Sequence, residues 1–425
     1  MRVLVVGTNY VPERTGMAPF STGLCEHFAD QGHDVHVVTT FPYYPEWRIW
    51  DGYRGKLTQR ENINGVNVRR VWHYVPARAS SLLQRLLHDV SFAIHVFFAA
   101  LFVRKFDIVC CVCPPPTLAL TGYLLSLFRR QPYMILLTDL ASDAALATGI
   151  MQEGFAVRMA RNLEEFLYRH AVNVVCICQG FVEKLTARRV DPDSLVLIPL
   201  WGNTDNVYPI EGATKFREAN NFKPNDFLAM YTGNIGKKQD LMNVVRAAEL
   251  SRHLTDLTWV LVGDGEERNL IDDAIRQRGL TNIRMLPLQP VSILAEMYSA
   301  ANALFIHQKA AVVDSVIPSK LLTYMAAGRP ILAAVSDKSE TARYVESANC
   351  GLVLHPESPE ALVESVLSLR SDSALQSRLG ASGRTYVQQH FAKDKILQKY
   401  DLLFSRYKAQ GQPGTEASNK TVVAS

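Results

Sequence analysis

From Ala303 to Leu332 the chain reads ALFIHQ, KAAVVDSVIP, SKLLTYMAAGRPIL, and this stretch restricts the possible folds more than any total does. The apolar run Ala303 to Ile306 suits a buried strand, and Lys309 to Pro318 is a ten-residue loop. Ser319 to Ala327 places Leu321, Leu322, Met325 and Ala326 on one helical face. Ser319 suits an N-cap, Gly328 suits a left-handed C-cap, and Pro330 blocks continuation, so both helix ends are written locally. Such a helix start offers N–H groups and partial positive charge beside the Lys320 ammonium, a combination suited to a phosphate. On this stretch alone, an ordinary βα unit with a solvated lysine accounts for the residues equally well.

The same order, apolar run then turn then amphipathic segment, recurs along the chain and selects a parallel α/β sheet. Arg2 to Val6 is a strand ending at Gly7, Phe20 to Gln31 a helix closed by Gly32, and His33 to Thr39 the next strand. The intervening loop contains YVPERTGMAPF and lies where open parallel sheets bind ligands. It holds Gly16 but no GxGxxG, so a dinucleotide fingerprint is absent. Phe41 to Trp50 is an aromatic loop, and Gly65 to Val75 reads as a β segment. Strands are expected at Phe106 to Cys113, Tyr133 to Leu137, Val172 to Cys178 and Val196 to Ile198. Thr138-Asp139-Leu140 follows the second of these on the ligand edge.

Pro199 to Asn203 reads as a hinge, after which the alternation restarts with strands at Leu228 to Tyr231 and Thr258 to Val262. A chain of 425 residues exceeds one ordinary core and fits two or three domains. The expected fold class is therefore α/β, with two Rossmann-like, doubly wound parallel-sheet domains over residues 1–200 and 201–385. A helix is expected over 386–409 and a polar, disordered tail over 410–425.

Net charge is +4, but the window Arg48 to Lys105 holds ten Lys or Arg against three Asp or Glu, so the basic surface is local. Within it, Ser80 to Lys105 is one long helix whose second half, Val90 to Val103, is nearly all apolar. Fourteen such residues fall short of the roughly 20 needed to cross a bilayer. A core helix and a shallow membrane-surface helix both fit; Arg85, Arg104 and Lys105 favour an anionic bilayer face. The seven cysteines lack the spacing of a zinc site or a bridge framework, and five lie in strand-like runs, so buried reduced thiols and a cytoplasmic setting are expected. MRVLVVGTNY runs from one Arg directly into a strand, unlike a signal peptide.

Three turns of the second half carry the candidate chemistry. Gly233, Asn234, Gly236, Lys237 and Lys238 combine backbone that can approach a ligand closely with two ammonium groups. Asp264, in Gly263-Asp264-Gly265, offers a carboxylate to a neighbouring loop or a hydroxylated ligand, and Ser319-Lys320 opens the helix described above. Each signal is weak alone; together they describe an anion site on one sheet edge.

TGNIGKKQDL, VGDGEERNLI and PSKLLTYMAAGRPIL, at these separations, resemble the donor domain of retaining glycosyltransferases of family 4, with the GT-B fold. NYVPERTGMAPF, FPYYPEW and TDL resemble the branch that builds bacterial capsule, O-antigen and colanic acid polysaccharides, and the likeness spans Met1 to Leu403. The resemblance implies two domains facing a cleft, the first binding the acceptor and the second the donor, with the C-terminal helix crossing back onto the first. It implies a nucleotide-diphosphate sugar donor, a polyprenyl-diphosphate-linked saccharide acceptor, no cofactor or metal, no nucleic acid, and a peripheral place on the inner face of the plasma membrane.

Residue by residue, it implies that Gly233, Asn234, Gly236, Lys237 and Lys238 lie near the donor diphosphate, Ser319 and Lys320 at the phosphate end of the donor helix, and Asp264 on the nucleotide side. Gly16 would face the diphosphate and acceptor, and Asp139 matches the acceptor-side strand end. Lys320, Lys238 and Asp139 are the candidate catalytic residues. The chain departs from the family pattern at several positions. Two glutamates usual in relatives are Ser315, with Asp314 beside it, and Thr323, the latter at the ribose position. A usual arginine and lysine are Asn234 and Gln239, and a usual histidine is Thr138. A nucleotide-sugar epimerase of the same fold and a degenerate binding or scaffold protein are the competing readings.

Overall fold

The computed structural model describes residues 1–410 except 15, 45, 78–80, 104, 148–153 and 311–318. Two compact units divide the chain: one is Met1–Ile198 with the segment from Ile396 onward, the other Pro199–Lys395.

The first unit runs β1 (Arg2–Gly7), α1 (Ala18–Asp30), β2 (Asp34–Thr40), β3 (Thr58–Ile63), β4 (Val66–Val71), α2 (Leu82–Leu101), β5 (Ile108–Cys113) and α3 (Pro116–Arg129). It continues with β6 (Tyr133–Leu137), α4 (Ala141–Ala147), α5 (Phe155–His170), β7 (Asn173–Cys176), α6 (Gln179–Ala187) and β8 (Leu195–Leu197). Its sheet has the order β3-β4-β2-β1-β5-β6-β7-β8, parallel except for the β3/β4 hairpin. The central strands are apolar at nearly every position because helices cover both faces.

The β3 strand was absent from the sequence expectation, which placed a single β segment at Gly65 to Val75. Its alternating exposure, with Thr58, Arg60 and Asn62 outward, reflects a polar edge strand. Asn64 and Gly65, at φ 48° and 82°, form the tight turn that pairs it with β4.

The second unit runs α7 (Lys215–Ala219), β9 (Phe227–Asn234), α8 (Met242–Leu250), β10 (Leu257–Asp264), α9 (Arg268–Gln277), β11 (Ile283–Leu286), α10 (Leu294–Ala300) and β12 (Ala303–His307). There follow α11 (Ser319–Ala326), β13 (Ile331–Ala334), α12 (Glu340–Ser347), β14 (Gly351–Leu354), α13 (Pro359–Ser371) and α14 (Ser373–His390). The sheet is parallel throughout, in the order β11-β10-β9-β12-β13-β14. One core packs Leu228, Met230, Val260, Leu304 and Ile306 against α11, and the other packs Ala229, Tyr231, Trp259, Leu261 and Phe305 against α8 and α13. Such alternation of side chains to two buried faces is what a covered parallel sheet requires.

The single helix expected over 386–409 is instead two. α14 ends at His390, a break follows at Phe391-Ala392, and α15 (Lys393–Gln410) begins anew. Phe391 is buried and its carbonyl accepts from Gly202 N at 2.8 Å, which stops the helix. Beyond Lys395, α15 packs on α1: Phe404 lies 4.4 Å from Phe28 between ring centroids, and His27 Nε2 is 2.8 Å from Asp401 Oδ1. All seven cysteines are free and buried.

Candidate active site

The second unit's sheet reverses its winding between β9 and β12: from β9 the chain proceeds to β10 on one side, while β12 joins β9 on the other. The carboxyl ends of the two strands at such a reversal leave a crevice, because their connections depart to opposite faces. The turn after β9 holds Gly233 to Lys238, and the connection after β12 leads to α11.

Lys320 closes the distance between these elements. Its Nζ donates to Tyr231 Oη at 2.8 Å, lies 4.1 Å from the Tyr231 ring centroid, and is 3.3 Å from where a Cβ of Gly233 would stand. Tyr231 is buried in β9, and burial pushes its phenol far above the usual range, so it stays protonated. Its hydroxyl donates to Asn234 O at 2.6 Å while accepting from Lys320. One phenol thus ties the turn backbone to the lysine.

Four residues after Lys320, on the same helical face, Tyr324 is buried and its hydroxyl accepts from Thr232 N at 2.8 Å. Tyr298 Oη is 3.0 Å from Thr232 Oγ1. These contacts fasten α11 to the end of β9. His307, buried at the end of β12, fixes the other end of the turn: its Nδ1 is 2.8 Å from Gln239 O and its Nε2 2.8 Å from Asn243 Nδ2. An amide nitrogen only donates, so Nε2 accepts and Nδ1–H donates, and burial lowers the ring's pKa to keep it neutral. Lys309 N donates to Lys238 O at 3.0 Å, joining the two connections directly.

Gly263 and Gly265 serve this packing. In the β9/β10 register Gly263 stands opposite Gly233 and Asp264 opposite Asn234. A Cβ on Gly263 would overlap Gly233 O, and one on Gly265 would overlap Ile235 O. These two glycines therefore let one turn lie on another, rather than admitting a ligand. Asp264 is exposed, with Oδ1 accepting from Gly265 N at 2.8 Å. Lys237 and Lys238 are exposed, and Lys237 N lies 3.5 Å from Glu266 Oε1.

The start of α11 adjoins residues 311–318, which lie outside the described residues, and the capping role expected of Ser319 falls there; Thr323 turns its hydroxyl back onto Ser319 O at 3.1 Å, competing with any ligand for that donor. Gly328, at φ 65°, does end the helix. Asp314 and Ser315 lie outside the described residues. Among the described residues no group of three His, Cys, Asp or Glu is arranged to hold a metal ion.

Gly16 and Asp139 belong to the first unit. Gly16, at φ 62°, lies in the loop after β1, close to Asn9 and Tyr44. That loop is held by Glu13, which sequence reasoning passed over. Its buried carboxylate accepts from Tyr43 N at 2.9 Å, Tyr44 N at 2.8 Å and Asn9 Nδ2 at 3.0 Å. Burial raises its pKa against those donors. Asp139 Oδ1 accepts from Leu140 N at 2.8 Å, and the residue lines a small depression with Cys113, Glu164 and Tyr168. Glu164 is buried and takes both the N–H and the hydroxyl of Ser142, at 3.0 and 2.6 Å.

Comparison with known proteins gives the family. Residues 15–201 match the glycosyl transferase 4-like domain, and residues 213–386 match glycosyl transferases group 1. The chain is 29% identical over 408 residues to the putative colanic acid biosynthesis glycosyl transferase WcaI of Escherichia coli, covering 94% of this chain and 98% of that protein. Among solved structures, sucrose-phosphate synthase of Thermosynechococcus elongatus superposes with a TM-score of 0.75 at 18% identity, covering 96% of this chain and all of that one. Anabaena Alr3699/HepE in complex with UDP gives 0.71 at 15% identity, with the same coverage. With both halves matched in order and two parallel-sheet units of this kind, the chain belongs to the family 4 type of GT-B glycosyltransferases.

Proposed function

We propose that the protein transfers a sugar, with retention of configuration, from a nucleotide-diphosphate sugar to a polyprenyl-diphosphate-linked saccharide in bacterial exopolysaccharide, capsule or O-antigen synthesis. The observation that carries this reading is the convergence of Lys320, Tyr231 and the Gly233 turn at the winding reversal of the second unit. HepE, a structural relative, holds UDP, and WcaI is named for colanic acid synthesis; both support the donor and product classes.

In this reading the donor's diphosphate lies against the Gly233 to Lys238 turn and Lys320. The bond from the anomeric carbon to the diphosphate breaks through an oxocarbenium-like state, and negative charge grows on the leaving phosphate. Lys320, held by Tyr231, stabilises that charge from a fixed position, which is effective because little reorganisation accompanies the step, and Lys237 and Lys238 add positive charge beside it. The acceptor hydroxyl adds to the same face of the sugar, and its proton passes to the leaving phosphate. Asp264 faces the nucleoside, with Ser319 and Thr323 beside it; Gly16 and Asp139 serve the acceptor from the first unit. The acceptor's lipid places the reaction at the cytoplasmic face of the membrane.

The test is a mass-spectrometric screen of UDP- and GDP-sugars with polyprenyl-diphosphate saccharides, using the parent and Lys320→Ala. Product formation that Lys320→Ala abolishes supports the reading. Donor turnover without acceptor would indicate an epimerase, and nucleotide binding with no turnover across the panel a scaffold.

A further inference from the structure

We propose that the outward faces of α2, α3 and α5 form one continuous surface that docks on an anionic phospholipid bilayer. This rests on the membrane-linked acceptor in the proposed function and adds the surface, two of whose three helices show no membrane signal in the sequence.

α2 carries two apolar stripes. His88, Phe92, Val96 and Ala99, spaced by three and four residues, are buried against the unit. Leu83, Leu86, Leu87, Val90, Ile94 and Phe98 form a second stripe and are exposed, Leu83 at 66% and Phe98 at 57%. An apolar stripe opposite the one that packs on the unit has no reason to stand in water unless another apolar medium covers it. α5 repeats the feature: Phe155, Met159, Leu163 and Phe166 fall on one face, and Phe155 and Met159 are 79% and 60% exposed. Between them, α3 ends in exposed Leu127 and Phe128.

Ring contacts join the three helices. Phe97 lies 5.7 Å from both Phe98 and Phe128, and Tyr123 of α3 lies 5.1 Å from Phe166 of α5. The exposed apolar side chains therefore belong to one patch far larger than scattered surface residues make.

Charge selects the occupant. α3 contains no Asp or Glu. The carboxylates of α2 and α5 are Asp89, Glu164 and Glu165: none is exposed, Glu164 is buried, and Glu165 is paired with Arg169 at 2.8 Å. Exposed cations at the patch include Arg85, Lys105, Arg130 and Arg158. Apolar stripes on helices whose exposed charges, among the described residues, are cationic match the interface of an anionic bilayer, where the cations meet phosphates and the stripes enter the acyl boundary. A second copy of this chain would bring like charges together. Among the described residues no helix is long and apolar enough to cross a membrane, which accords with a surface that lies flat.

The experiment is co-sedimentation of the full chain with vesicles of phosphatidylcholine, alone or mixed with phosphatidylglycerol. Parent protein is expected to prefer the mixed vesicles. Ile94→Ser with Phe98→Ser in α2, and separately Met159→Ser with Leu163→Ser in α5, should each lower partitioning about tenfold or more. Lys105→Glu with Arg158→Glu should abolish the preference for mixed vesicles. In a second measurement, Phe98→Trp and Leu163→Trp should each gain fluorescence quenching by bromine-labelled acyl chains. Unquenched tryptophan at either position, or an α5 pair that binds as the parent does, overturns the proposal. So does a parent dimer that the serine variants dissociate. UDP binding by calorimetry, run on the same proteins, reports separately on the transferase reading: a parent that binds vesicles but no nucleotide sinks that reading alone.

Discussion

The ammonium of Lys320 donates to the hydroxyl of Tyr231, 89 residues earlier in the chain, and that hydroxyl in turn donates to the carbonyl of Asn234. Lys320 is thereby aimed by β9, although it is borne by α11. Removing its charge by Lys320→Ala should reduce kcat/KM by about a hundredfold or more, the scale of losing one preorganised donor to a developing anion. Tyr231→Phe leaves the charge but frees its position. It should weaken UDP binding by about fivefold to tenfold, for a stability cost of about 1 kcal/mol. Calorimetry with UDP and thermal denaturation check both; unchanged UDP affinity in Tyr231→Phe would show that the phenol only packs.

Gly263 stands where a side chain would meet the carbonyl of Gly233, at a φ of 157°. Gly263→Ala should therefore destabilise the second unit by about 3 kcal/mol or more, since backbone rather than a flexible side chain must yield. Denaturant unfolding measures this. Gly212, whose Cβ would meet nothing but whose φ is 64°, is the control: Gly212→Ala should cost only the roughly 1–2 kcal/mol of a left-handed alanine.

Glu13 is the shared acceptor for Tyr43 N and Tyr44 N. Glu13→Ala leaves both amides without that acceptor and should cost about 2–4 kcal/mol, whereas Glu13→Gln retains an oxygen and should cost less than half as much. The midpoints of urea unfolding for the two variants give the comparison.

Asp89 on α2 is pushed up to about 7 by burial, with Arg85 opposing. A carboxyl whose folded value exceeds its unfolded value favours the folded state at low pH and ceases to do so as pH rises through the folded value. Asp89→Asn should therefore match the parent near pH 4, gain on it as pH rises to 7, and hold a constant advantage above that, on the order of 2 kcal/mol. His73, held near 3 by burial, has the opposite sign: both proteins should lose stability as pH falls from about 6.5 toward 3. Melting temperatures across that range test both slopes.

Several features were legible because their causes are local. The strands flanking Gly7, Gly233 and Gly263, the stop at Gly328 and the aromatic loop after β2 follow from apolar runs and turn residues close in sequence. Less legible was β3, whose side chains alternate as Gln59, Glu61 and Ile63 against Thr58, Arg60 and Asn62. Both sets are mostly polar, and only the Asn64-Gly65 turn announced it.

By itself the sequence determined the order of strands and helices, the two halves, and which turns are rich in glycine and lysine, since hydrophobic period and turn chemistry act over a few residues. Only the tertiary structure decided that β12 lies beside β9, because linear order does not say which strands become neighbours. That adjacency brings Lys320 to Tyr231 and the Gly233 turn. It likewise decided which stripe of α2 is covered: a helix with apolar stripes on two sides does not say in sequence which one packs, and the packing of Phe92 and Val96 against the unit leaves Ile94 and Phe98 outside.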